Sequence, residues 1–325
     1  MLKRHTWMLM MLLIALVAFT GCSDDDDPVT PTPTNNFSAV ANAVGTILND
    51  NTVTPGVISA TDLFNAQQNK VPMYTVLDVR GETDYGNGHI PGAINTSLGS
   101  LIADLGSGKI PTDKPFAVAC YTGQAAGHAK IALEMLGYEA KSLLWGMSSW
   151  SPNVTGTKWS EVEKCKSLLA NPETTNNNGD LVAQDYPNYT ETLETRVAGM
   201  LANGFQGIGY DTIKEDLGSY FIMNYWGEAD YLGTGTYGTT GHIPGAYQFT
   251  PYSSLHMDGM LNNLPTDKTI VVYCWTGQHS SQVTAALNTM GYTAKSLTYG
   301  ANQLMWSNLT GHKWSDTNVK DYALE

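Results

Sequence analysis

The feature that most constrains this chain is a repeat inside it. Gly88-His89-Ile90-Pro91-Gly92-Ala93 returns as Gly241-His242-Ile243-Pro244-Gly245-Ala246, and Thr112-Asp113-Lys114 returns as Thr266-Asp267-Lys268. Leu136-Gly137-Tyr138 with Ala140-Lys141-Ser142-Leu143 answers Met290-Gly291-Tyr292 with Ala294-Lys295-Ser296-Leu297. Thr155-Gly156-Thr157-Lys158-Trp159-Ser160 answers Thr310-Gly311-His312-Lys313-Trp314-Ser315, and from Lys114 onward the offset between copies is nearly constant. Two copies of this length predict a tandem of domains rather than a solenoid. A chain of 325 residues is long enough for each to bury a core.

Each copy holds one cysteine in the same local setting. Phe116-Ala117-Val118-Ala119 leads into Cys120-Tyr121-Thr122-Gly123-Gln124, and Ile270-Val271-Val272-Tyr273 leads into Cys274-Trp275-Thr276-Gly277-Gln278. A short apolar run predicts a buried strand, and residues 125 to 136 carry bulky groups at helical spacing. The cysteine therefore falls at a strand-to-helix turn. Glycine lets such a loop curl until its N–H groups face inward, and the helix N-terminus adds partial positive charge. That setting is expected to favour thiolate over thiol. A buried, inert thiol is the plain alternative.

The remaining elements of each copy read the same way. In the first, Val44 to Leu48 and Asp62 to Gln67 are predicted helical, Tyr74 to Val79 a strand, Ala93 to Asn95 a short strand, and Ala140 to Leu144 another strand. Strands alternating with helices predict an α/β fold: two tandem domains, each a mostly parallel central sheet flanked by helices. Active loops in such sheets lie beyond the carboxyl ends of the strands, where both cysteines fall. The domains are placed at 37–165 and 191–325, with 166–190 as a linker because Asn171 to Asp180 is polar and turn-rich.

The start of the chain reads as targeting. Lys3 and Arg4 precede an apolar run from Trp7 to Phe19, and Phe19-Thr20-Gly21-Cys22 closes it. Small residues before a cysteine resemble a lipoprotein cleavage site, which makes Cys22 the expected lipidation point and residues 1–22 the signal peptide. The acidic and Pro/Thr-rich stretch 23–36 has little to bury and reads as a solvated tether. The expected location is a lipid-anchored membrane protein of a bacterial envelope, at its periplasmic face or at the cell surface. The net charge of -13, from 17 Lys and Arg against 30 Asp and Glu, argues against nucleic acid as a partner.

The motifs taken together resemble the rhodanese-like superfamily from about Asn36 to the end of the chain. They are Leu77-Asp78-Val79-Arg80, Asp84-Tyr85, the Gly88 to Ala93 block, the Cys120 loop and the Gly137-Tyr138 strand entry. The resemblance implies sulfurtransferase chemistry: a loop cysteine takes sulfane sulfur from a small donor, becomes a persulfide and passes the sulfur to a thiol acceptor. It makes Cys120 and Cys274 the candidate nucleophiles. The loop residues Tyr121, Thr122, Gly123, Gln124 and Ala125, and Trp275, Thr276, Gly277, Gln278 and His279, are the candidate sulfur cradles. Neither metal nor cofactor is called for by this chemistry, and no Cys or His lies at zinc-like spacing from either cysteine.

Cysteine phosphatases of related fold need an arginine six residues after the cysteine, and Ala126 and Ser280 stand there instead. Neither loop contains Lys or Arg, so a donor less charged than thiosulfate is expected. In the second copy Asn224-Tyr225-Trp226 replaces Asp78-Val79-Arg80. Asp78 and Arg80 are read as a structural pair, and His89 and His242 as turn residues. His128 and His279 follow their cysteines closely, with His279 able to pair with a thiolate. Trp145, Trp150 and Trp306 are read as core or interface residues, and Cys165 as structural or incidental. Which copy is active stays open, and so does a catalytically silent binding module. A thiol–disulfide oxidoreductase ranks lower because no resolving cysteine lies near either loop.

Overall fold

The computed structural model describes residues 34–160 and 168–325. Cys22, the signal peptide, tether residues 23–33 and Cys165 lie outside the described residues. In the first half the strands are β1 (Val57–Ile58), β2 (Thr75–Asp78), β3 (Ile94–Asn95), β4 (Phe116–Ala119) and β5 (Ala140–Leu143). The helices are α1 (Phe37–Leu48), α2 (Ala60–Gln67), α3 (Glu82–Gly86), α4 (Leu101–Gly106), α5 (Gln124–Met135) and α6 (Met147–Trp150). The second half repeats the order with β6 (Gly207–Ile208), β7 (Tyr220–Asn224), β8 (Tyr247–Gln248), β9 (Thr269–Tyr273) and β10 (Ala294–Leu297). Its helices are α7 (Leu193–Ala202), α8 (Tyr210–Ile213), α9 (Glu228–Tyr231), α10 (Gln278–Thr289) and α11 (Ala301–Met305).

Both sheets are parallel, with orders β1-β5-β4-β2-β3 and β6-β10-β9-β7-β8. Helices cover both faces of such a sheet, so β4 is buried along its whole length and reads as the continuous apolar run seen in the sequence. Each cysteine directly follows the middle strand of its sheet. Helix α1 begins seven residues earlier than the periodicity predicts, at Phe37. Phe37 is drawn in by tertiary packing, stacked on Tyr186 at 4.6 Å and edge-on to Tyr292 at 6.1 Å.

The halves form one unit from Thr34 to Glu325. One hydrophobic cluster runs through both, from Val40 and Leu133 to Val197 and Val283. The α5–α10 contact is the largest between helices, and it closes where Gly127 meets Ser281. Trp145, Trp159 and Trp314 form a second cluster, with Trp145 edge-on to the other two at 4.7 and 5.6 Å. Trp150 lies in the core of the first half, and Trp306 donates to Trp314 O at 2.9 Å.

The described part of the expected linker, residues 168–190, is not a free connector. Leu169 N–H donates to Leu304 O at 3.1 Å, and Glu173 pairs by backbone with His242 at 2.9 and 2.8 Å. The Asn178 side-chain amide both accepts from and donates to the backbone of Gln248, each at 2.8 Å. Gln248 belongs to β8, an edge strand, so the asparagines supply the partners that an unpaired edge lacks. Their polarity, read from sequence as linker character, is edge-capping chemistry.

The end of the chain makes the reciprocal move. Lys320 N–H donates to Ser149 O at 2.8 Å, Tyr322 N–H to Trp150 O at 3.1 Å, and Glu325 pairs with His89 at 3.0 and 3.2 Å. Each half therefore sends the segment after its last helix onto the other half. His89 and His242 hold the turns at these docking points, with Nδ1 against Tyr85 O and Tyr231 O at 3.0 and 2.8 Å.

Candidate functional site

Cys120 and Cys274 are each 2% exposed, and both are free thiols. Gly123 N–H donates to Cys120 Sγ at 3.1 Å, and the N–H groups of Thr122 and Ala126 also point at it. In the second half Ser280 N–H donates to Cys274 Sγ at 3.3 Å. The curl that permits this is made by Gly123 and Gly277, at φ 87° and 77°, each the residue before its helix.

The loops are braced from below by main chain. Met147 and Ala301 N–H groups donate to Cys120 O and Cys274 O at 2.8 and 2.9 Å. These donors stand at the starts of α6 and α11, just after Gly146 and Gly300. The two glycines take φ 60°, ψ −156° and φ 51°, ψ −133°, a conformation that side chains resist.

The electrostatics of the first loop differ from expectation. Burial pushes the Cys120 thiol up, the Ala126, Thr122 and Gly123 N–H groups pull it back, and the Asp78 carboxylate adds to the rise. The net direction is upward, because desolvation outweighs the cradle. The expected preference for thiolate in this loop is thus overturned in the resting state. Asp78 itself is fully buried against Arg80 at 2.7 Å, and Arg80 also donates to Gly88 O at 2.8 Å. That pair braces the sheet end, as the sequence suggested.

The side chains of the other loop residues make contacts of several kinds. Tyr121 Oη donates to Asp84 Oδ2 at 2.6 Å, and Thr155 Oγ1 donates to the other carboxylate oxygen at 2.6 Å. The Thr155 and Tyr121 hydrogen bonds hold the Asp84 carboxyl below its ordinary range. Thr122 O accepts from Trp159 Nε1 at 2.9 Å, and its hydroxyl accepts from Gln124 Nε2 at 2.9 Å. Thr276 Oγ1 accepts from Gln278 N–H at 3.3 Å. Ala125 packs against the shared core. Trp275 stacks on Trp226 at 4.6 Å and on His312 at 5.3 Å.

Gln124 and Gln278, candidates for contacting sulfur, instead reach across the joint. Gln124 Oε1 accepts from Tyr299 N–H at 2.9 Å. Gln278 Oε1 accepts from Trp145 N–H at 3.3 Å, and its Nε2 donates to Leu143 O at 3.3 Å. Each loop thus supplies the amide that holds the segment beneath the other loop.

His128 is fully buried with neither ring nitrogen bonded, edge-on to Phe205 at 5.1 Å, and burial drives its pKa down to about 3. It faces the joint rather than Cys120. His279 stays at the second site, edge-on to Tyr225 at 5.0 Å and tilted against Tyr252 at 5.5 Å. Burial, assisted by the Lys130 charge, lowers its pKa to about 3. Tyr225 and Tyr252 both lie within electrostatic reach of Cys274. Sequence reading did not select them; only the register that sets Asn224 beside Tyr273 puts Tyr225 next to Cys274. Cavities of about 420 and 600 Å³ lie elsewhere, around α2 and the entry ends of β2 and β4.

A pair of parallel α/β domains, each with one cysteine held by loop amides at the end of its central strand, defines a class of thiol-loop proteins. The chain belongs to the rhodanese-like domain family, whose model matches residues 59–153 and 228–304. Similar solved structures include a rhodanese-related protein from Thermoplasma volcanium, at 30% identity, 29% of this chain and 87% of that one, with a TM-score of 0.25. Another is a rhodanese-like domain protein from Staphylococcus aureus, at 23% identity, 28% and 86% coverage, and a TM-score of 0.26. No curated protein matches the chain. Sulfurtransferase or a related activity is the function class that the family suggests.

Proposed function

We propose that the protein is a sulfurtransferase that moves sulfane sulfur through a cysteine persulfide, anchored to the cell envelope by a lipid on Cys22. The supporting observation is the set of main-chain donors at Cys120 Sγ and Cys274 Sγ. A thiolate attacks the outer sulfur of a donor, and the persulfide formed is again anionic. Fixed N–H groups suit both charged states without reorganising. A thiol acceptor then attacks the terminal sulfur and regenerates the cysteine.

A silent binding module is favoured by one observation: both sulfurs are almost fully covered. Incubation of the purified protein with sulfane-sulfur donors, followed by intact mass measurement, separates the two. One added sulfur, lost on reduction, supports transfer. No adduct with organic persulfide, polysulfide or thiosulfate supports the binding module.

A further inference from the structure

The two halves can be compared position by position because their sheets share one register. Val79 N–H donates to Ala119 O and Tyr225 N–H to Tyr273 O, both at 2.9 Å, so Val79 and Tyr225 stand at the same place beside their cysteines. Gly99 lies four residues after Asn95 of β3, as Tyr252 lies four after Gln248 of β8. Ala125 and His279 are each five residues after the cysteine. Around Cys120 the three positions carry no polar side-chain atom; around Cys274 they carry two phenols and an imidazole.

These three side chains form one group. Tyr225 Oη accepts from Tyr252 N–H at 3.4 Å, and both rings contact that of His279. Tyr252 is held at φ 65°, a conformation costly for a residue with a side chain. His279 Nε2 is shielded from solvent and has no hydrogen-bond partner. Strain and an unpaired buried nitrogen mark a place where a missing partner would be satisfied. The buried ion pair beside Cys120 is replaced here by Asn224 and Trp226, both fully buried.

We infer that the second half is the one that accepts sulfur, and that Tyr225, Tyr252 and His279 select an organic hydropersulfide with an apolar substituent as the donor. This rests on the sulfurtransferase reading above. The site has aromatic faces for an apolar group. Among the described residues it has no free cation to offset a doubly charged oxyanion: the cation felt by His279, Lys130, is committed to Val53 O at 2.6 Å and lies 3.8 Å from Glu134. His279 is held neutral at pH 7 by its burial.

In the transfer, the Cys274 thiolate forms a bond to the outer sulfur of R–S–SH as the S–S bond of the donor breaks. The electron pair leaves on RS⁻, which takes a proton from solvent, and Cys274 becomes Cys–S–SH. Sulfur moves at constant oxidation level, so no oxidant or reductant is consumed. The phenol and imidazole hydrogens act as donors to the departing thiolate.

The test is peptide mapping of the purified protein after brief exposure to benzyl hydropersulfide or, separately, thiosulfate. The expected result is added sulfur on the Cys274 peptide, formed at least about tenfold faster from the hydropersulfide, the worth of one hydrogen bond at a reacting group. His279→Gln and Tyr252→Phe should each slow loading by about tenfold with an unchanged urea midpoint, and Tyr225→Phe should slow it likewise with a lower midpoint, because Tyr252 N–H loses its acceptor. These near-isosteric changes keep the fold. Sulfur found on Cys120 alone, or equal rates from both donors, overturns this inference and leaves the sulfurtransferase reading standing. Sulfur on neither cysteine from either donor overturns that reading as well.

Discussion

Gly300→Ala should release the second cysteine loop, and the structure sets the size of the effect. A Cβ at Gly300 would fall against Cys274 O, with Cys274 C at 2.9 Å and Gly277 N at 3.0 Å. All three are backbone atoms, so no side chain can swing aside. The φ 51°, ψ −133° conformation adds about 1–3 kcal/mol of backbone strain for a non-glycine residue. Overpacking against fixed atoms adds about 1–3 kcal/mol more. The sum, about 2–6 kcal/mol, is a large part of the total stability of an ordinary protein, about 5–15 kcal/mol. Gly245→Ala is the control, since Gly245 also has positive φ, 75°, but open space where the Cβ would go. Urea unfolding gives the stability change, and alkylation followed by peptide mapping gives the exposure of Cys274. The expected outcome is a much larger loss for Gly300→Ala, with faster alkylation of Cys274. Equal losses for the two variants would show that the Gly300 contact does not hold the loop.

Gln124→Ala and Gln278→Ala should each lower stability by about 1–3 kcal/mol, because each removes the side-chain acceptor of a main-chain N–H at the joint. A double-mutant cycle in urea should show coupling, and strict additivity would mean that the two amides do not share one joint. His128→Leu should stabilise the protein by removing a buried ring with no hydrogen bonds. Its pKa falls from 6.5 to about 3 on folding, so the unfolded chain takes the proton first. Stability present above pH 6.5 is therefore lost as pH falls toward 3, and the variant should flatten that acid slope in urea midpoints measured against pH. Tyr322→Ala removes a ring stacked on Phe64 at 4.1 Å and edge-on to Trp150 at 5.1 Å. A loss of about 1–3 kcal/mol is expected by thermal or urea unfolding, and none would mean that the terminal arm is not docked in solution.

The cysteine loops were legible because their signals are local. An apolar run, a cysteine and a glycine within a few residues specify strand, turn and helix, and both copies fold that way. The two-residue strands Val57–Ile58 and Gly207–Ile208 were not legible, since alternation needs more residues than they have, whereas Ile94–Asn95 was marked by the Gly88 to Ala93 block before it. The roles of Gln124 and Gln278 were hidden for a different reason. Their partners are 175 and 133 residues away in the chain, and a loop glutamine beside a cysteine looks like a substrate ligand until the other half is in place. Tyr225 was visible as a departure from the first copy, but its meaning depended on register.

The reciprocal amides and exchanged arms bear on why two halves persist when the aromatic donors surround one cysteine alone. The segment beneath the Cys274 loop is held by Gln124, and residues 320–325 cover the half that carries Gln124. On the proposed reading, a first half that loads no sulfur is still required by the second. Residues 34–160 alone would expose the α5 face that packs on α10, together with the Trp145 and Trp159 faces that meet Trp314. They would also lose the terminal arm from Trp150 and His89. Such a fragment is expected to show no cooperative urea transition, because uncovering a shared core removes the burial on which a small domain depends. A sharp transition at a midpoint matching the whole chain would show that the first half is self-sufficient, and the joint would then have to be explained by the chemistry rather than by folding.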